Sequence, residues 1–105
     1  MTDIKKGTVV RGLKNANLTP FDKEDFDQDN RLMDASVNCI EGSDNVAQII
    51  VGMPPSMMAH GIRTATVAKI IQKGGRVMKV AINGNPNHCQ IFGLTLSDAN
   101  NLFSN

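Results

Sequence analysis

Histidine is the side chain that most readily gives and takes protons near neutral pH, and this chain has two, His60 and His88. His88 stands in GNPNHCQIFGLTLSD, residues 84 to 98, directly after a turn-forming run that contains Asn85 and Pro86. As the acid-base group of a metal-independent RNase it would need a cation for the pentavalent phosphate, and Lys69, Arg63 or Lys79 could supply it. The competing reading gives His88 a structural place, steadying the turn or filling the core. Cys89 cannot join it in a Cys-His dyad by adjacency, because neighbouring strand residues point to opposite faces. His60 is a candidate second acid-base group, although its Met-Ala-His-Gly-Ile setting reads more like a helix end, where a histidine interacts with the dipole.

Metal chemistry finds little support. Asp25, Asp27 and Asp29 have the alternate spacing of a calcium loop, but Asn30 stands where that loop needs glycine, and Ser36 where it needs a bidentate glutamate. An acidic surface loop is the better reading. Cys39 and Cys89 lie far apart without CxxC spacing, so neither a disulfide scaffold nor a zinc site is expected, and two buried thiols are. No cofactor is implied by these residues.

The elements that position His88 follow from periodicity. Thr8 to Leu13 is β-rich and bounded by Gly7 and Asn15. Thr19-Pro20-Phe21-Asp22 offers an N-cap, a first-turn proline and a carboxylate, favouring one or two helical turns. From Leu32 to Ile40 the alternation predicts a strand with Met33, Ala35, Val37 and Cys39 inward. Ser43 is the expected cap of a helix with Val46, Ile49, Ile50 and Met53 on one stripe, ended by Pro54-Pro55. Ile62 to Thr66 reads as a strand and Val67 to Gly75 as a short helix, with one long strand over Ile62 to Ile70 as the alternative. Arg76 to Ile82 and His88 to Phe92 make a hairpin around the turn at Gly84 to Asn87, and Thr95 with Asp98 caps a closing helix. The sum is a single small α+β domain over residues 1 to 105, with about five strands and three or four short helices.

Length and composition agree with that: 105 residues with 41% hydrophobic and 20% charged suit one packable domain. No apolar run approaches a membrane span and the start lacks a signal core, so a cytoplasmic, membrane-free protein is expected. The net charge of +1 hides a segregation along the chain. Residues 20 to 44 set eight acidic groups against Lys23 and Arg31, whereas residues 45 to 105 set Arg63, Lys69, Lys73, Arg76 and Lys79 against Asp98. These five, with Arg11, are candidates for binding phosphate or an acidic partner. With no Trp or Tyr and four Phe, base stacking is not expected to dominate, which leaves backbone contacts for any nucleic acid.

Two resemblances follow. TVVRGL at residues 8 to 13 looks like the first strand of ADP-ribosyltransferase-type domains, and DASVN at residues 34 to 38 like their serine-bearing motif. That resemblance implies Arg11 and Ser36 as NAD contacts. The late glutamate of those enzymes has no counterpart, since Asp98 is the only acidic residue after Asp44, so a degenerate NAD-binding domain is what it suggests. Across most of the chain, the early arginine strand, SVN, an AVAK-like strand and helix, and the closing NPNHCQIFGL resemble small bacterial proteins ending in an NPxHxxIxGL pattern, some similar to toxin C-terminal modules. This implies a bacterial or phage-borne module in conflict or defence. The leading expectation is an accessory module that docks a protein or nucleic-acid partner through a basic face. The alternatives are an RNase-type toxin using His88 and the degenerate NAD-binding domain. Convergence of His88, Arg11 and Arg63 on one cleft is the geometric check.

Overall fold

The alternation through Ala35, Val37 and Cys39 divides a strand into two faces, and the fold is built around that division. A computed structural model describes residues 2–104. Six antiparallel strands form one sheet: β1 (Thr2–Asp3), β2 (Thr8–Gly12), β3 (Ala35–Cys39), β4 (Ile62–Thr66), β5 (Arg76–Lys79) and β6 (His88–Phe92), in the order β1-β5-β6-β3-β2-β4. Three helices, α1 (Val46–Ile49), α2 (Val67–Gln72) and α3 (Leu96–Leu102), complete an α+β domain.

One face of the sheet carries the core. Val9, Val37, Cys39, Ala65, Val77, Cys89 and Ile91 pack with Val67 and Ile70 of α2, Ala99 of α3, and Phe21, Leu32, Leu94 and Phe103. The rings of Phe21 and Phe103 meet edge to face at 5.2 Å. On the opposite face a smaller cluster of Val10, Ile49 and Met53 seats α1 against β2. Residues between these clusters on that second face are polar: Ser36, Asn38 and His88.

Several boundaries differ from the sequence expectation, each for a local reason. The strand expected from Leu32 begins at Ala35, because Asp34 adopts a φ of 21° and breaks the alternation; Leu32 turns inward and Met33 outward. The helix expected after Thr19-Pro20 is a single 3-10 turn at Lys23–Asp25, capped by Asp22. Burial of Phe21 in the core and the bond from Asp22 N to Asp25 Oδ2 (2.9 Å) fix the chain there. Helix α1 is capped by Asn45, whose Oδ1 accepts from Gln48 N, while Ser43 Oγ accepts from Asn45 N. It ends early because Gly52, at a φ of 90°, turns the chain before Met53 returns to the cluster. A second 3-10 turn follows at Pro55–Met58. Between Ile62 and Ile70 the strand-then-helix reading holds, with Thr66 Oγ1 capping α2 by accepting from Lys69 N. The hairpin of β5 and β6 forms, but β5 stops at Lys79 and the connection is longer than four residues, pinched by a bridge between Ile82 and Asn85. Strand β1, too short for periodicity to reveal, pairs with β5.

The two expected thiols are instead joined. Val37 lies opposite Cys89, so Cys39 sits diagonal to it on the same core face, and the pair forms a disulfide with Cα atoms 6.2 Å apart. Their separation of 50 residues hid a proximity that only the β3–β6 register creates. Among the described residues no helix is long and apolar enough to cross a membrane.

Candidate functional site

Because β3 and β6 are neighbours, their polar faces merge. Asn38 lies opposite His88 and Ser36 opposite Gln90, which puts Ser36, Asn38 and His88 on one surface. His88 is buried and held at both ring nitrogens: Nδ1 lies 2.7 Å from the Val80 carbonyl and Nε2 3.1 Å from Ser36 Oγ. A carbonyl oxygen only accepts, so Nδ1 carries the proton and donates it to Val80. In the neutral ring Nε2 then accepts from the Ser36 hydroxyl. Ser36 itself is exposed.

The turn ahead of His88 is anchored to the same surface. Gly84 takes a φ of 84°, Asn85 N donates to Ile82 O, and His88 N donates to Asn85 O. The buried Asn85 side chain exchanges two amide hydrogen bonds with Asn38, each 2.9 Å. Asn38 Nδ2 also donates to Ile49 O, and Asn87 Nδ2 reaches Gln48 O, tying the turn to α1. Pro86 leaves its carbonyl to accept from Lys79 Nζ.

Arg11 closes the other side. The β2–β3 ladder has no pairs beyond Val10 opposite Asn38, and the Arg11 guanidinium fills the gap: Nη1 donates to Ser36 O at 2.7 Å and Nε to Pro20 O at 2.8 Å. Nη2 lies 3.5 Å from Asp25, and the guanidinium stacks over Phe21 at 4.7 Å. Burial lowers the Arg11 pKa by penalising the charged form, opposed by the carboxylates of Asp25 and Asp22. Gly12 follows, and any Cβ there would collide with the Met57 carbonyl, so glycine is what lets the Pro55–Met58 turn lie on β2.

These parts enclose a cleft of about 200 Å³. Arg11, Ser36, Asn38, Asn85 and His88 supply its polar lining, and Met53, Pro54, Met57 and Ile82 its apolar walls. A hydroxyl hydrogen-bonded to an imidazole, itself oriented through its other nitrogen, is the arrangement of a nucleophile and general base.

The sequence candidates are thus partly gathered and partly scattered. His88 and Arg11 share the cleft, as do Asn85 and, from the resemblance, Ser36. Arg63 does not line it and donates to its own strand at Ile62 O. Arg76 pairs with Asp3 at 3.1 Å, Lys79 holds the Pro86 carbonyl, and Lys69 and Lys73 are exposed on and just after α2. His60 is exposed outside the cleft. Asp27 accepts from the backbone of Asp29 and Arg31, so the acidic run organises a turn. Asn38 escaped sequence reasoning; its one signal was its shared parity with Ser36, which by itself reads as a solvent face.

The chain is 31% identical to the protein RhiC of Rhizobium leguminosarum bv. viciae, over 95% of this chain and 70% of that protein. The chain belongs to the RhiC family. No family model matches this RhiC-family chain, and no solved structure does. Kinship with RhiC fixes membership, and the chemistry is read from the cleft.

Proposed function

We propose that this RhiC-family chain binds a small organic molecule with an apolar body and a carbonyl or carboxyl end. The observation that carries this is the Ser36–His88 pair, held ready to hydrogen-bond at the floor of a cleft whose walls are Met53, Pro54, Met57 and Ile82. Few polar groups set in apolar walls is the usual make-up of a small-molecule site. At about 200 Å³ the cleft falls below the roughly 300–1,000 Å³ of sites for drug-sized ligands, which favours a ligand much smaller than a dinucleotide over NAD. Amide chemical-shift mapping with butyrate, hexanoate and phenylacetate tests it. Saturable shifts are expected at Ser36, Asn85 and His88 and not in α3; the absence of saturable cleft shifts with all three overturns it.

Docking of a protein or nucleic-acid partner has its own support in Lys69 and Lys73, four residues apart and solvent-facing, outside the Arg11–Asp25 and Arg76–Asp3 ion pairs. In that reading Lys69→Glu with Lys73→Glu abolishes partner capture and His88→Ala does not. A defence or toxin role, with His88 cleaving RNA, finds none of its expected cations Arg63, Lys69 and Lys79 in the cleft lining and requires growth inhibition that His88→Ala relieves. For the compartment, the Cys39–Cys89 disulfide favours an oxidising environment over the cytoplasm expected from the sequence, because cytosolic thiols are kept reduced. Thiol trapping of Cys39 and Cys89 in the native host decides between the two.

A further inference from the structure

We infer that Ser36 is an acyl-accepting nucleophile with His88 as its general base, making the cleft a site of ester hydrolysis. This rests on the cleft admitting an acyl compound, as proposed above. Three features, each fixed by a different strand or turn, converge. Ser36 on β3 is exposed, so its hydroxyl is open to a substrate. His88 on β6 presents Nε2 to that hydroxyl at 3.1 Å. The Val80 carbonyl, just past β5, accepts from Nδ1 at 2.7 Å, which sets the tautomer, orients the ring and stabilises the imidazolium that forms during reaction. A backbone carbonyl here does what a carboxylate does in a serine-histidine-aspartate triad.

The step balances with water alone. Ser36 Oγ bonds to the ester carbonyl carbon while its proton passes to His88 Nε2. Collapse of the tetrahedral adduct breaks the bond to the leaving alkoxide, which takes the proton from Nε2. Water then attacks the acyl-serine by the same route, releasing the carboxylic acid and restoring both side chains. Asn38 Nδ2 is committed to Ile49 O and Asn85 Oδ1, and the Arg11 guanidinium to Ser36 O, Pro20 O and Asp25, so the step rests on the Ser36–His88 pair and no side chain is assigned to the oxyanion. The apolar walls favour a short acyl chain, and the small volume limits the acyl part to a few carbons.

The oxidised protein is assayed with p-nitrophenyl butyrate and labelled with an alkyl fluorophosphonate. Expected are turnover above buffer and one covalent adduct on the Ser36 peptide by mass spectrometry. Ser36→Ala, shown to be folded by its circular-dichroism spectrum, loses the adduct and the turnover. His88→Gln slows both by about 10²–10⁴-fold, the usual contribution of a general base. Absence of an adduct in the wild type, or turnover undiminished in Ser36→Ala, overturns the inference whether or not the His88 variant folds. Cleft shifts with butyrate but no adduct leave ligand binding standing and remove the nucleophile; an adduct without carboxylate shifts removes the carboxylate ligand alone.

Discussion

Asn38 and Asn85 face each other as a reciprocal amide pair, Nδ2 of each donating to Oδ1 of the other at 2.9 Å, with 1% and 5% of their surfaces exposed. The pair joins the middle of β3 to the turn before β6, and so decides where His88 enters the sheet. Asn85→Ala removes both bonds and leaves the Asn38 amide short of a partner in a buried place. A loss of about 1–3 kcal/mol is expected, the cost of stranding such a group. Urea unfolding measures it, and a double change to Asn38→Ala and Asn85→Ala should cost less than the two single losses added, because they share one interaction.

Reduction of the disulfide is expected to destabilise the protein by about 4 kcal/mol, the chain-entropy value for a loop closed over a separation of 50 residues. The Ser36–His88 pair lies on the two strands that Cys39 and Cys89 join, but their ladder pairs also hold them together. Reduced protein should therefore unfold at lower denaturant while its cleft, probed by His88 ring shifts in native buffer, stays assembled. A reduced midpoint equal to the oxidised one would contradict this.

Arg11 substitutes for missing ladder partners between β2 and β3, so its loss exposes backbone rather than a surface charge. Arg11→Met strands the carbonyls of Pro20 and Ser36 and frees Asp25 from its ion pair, at an expected cost of about 3 kcal/mol. Arg11→Lys keeps the charge but cannot span both carbonyls with a planar fork, and an intermediate loss is expected. Equilibrium unfolding of the three proteins should rank them wild type, Lys, Met.

Gly12→Ala acts on the cleft from outside its chemistry. The added methyl meets the Met57 carbonyl, so the Pro55–Met58 turn must lift from β2 and take the Met53 and Met57 wall with it. Faster amide hydrogen exchange through residues 53 to 58 is expected, with α3 unchanged.

Lys69→Glu combined with Lys73→Glu should change stability by no more than about 0.5 kcal/mol, since both side chains are exposed and lie outside the ion pairs found among the described residues. Thermal unfolding at moderate salt checks it, and sets the baseline needed before any change in partner capture is assigned to the face itself.

The sequence determined which segments become strands and helices wherever one short-range rule acted alone. Alternation through Ala35, Val37 and Cys39, the Thr95 cap, and the glycines closing α2 all appear in the fold. It also marked His88, as a titratable ring after a turn-forming run, and Arg11, through its charge and the TVVRGL resemblance. Tertiary structure decided the rest. Strand order places β6 beside β3, and antiparallel register then sets Ser36 against His88 and Cys39 diagonal to Cys89, across separations of about fifty residues. Neither pairing has a local signature, because Ser36 and Asn38 read as an ordinary solvent-facing parity until another polar strand lies next to them. Charge behaved in the same way: Arg11 counted toward a basic face in the sequence, and in the fold it points inward to backbone carbonyls that an opened ladder leaves without partners.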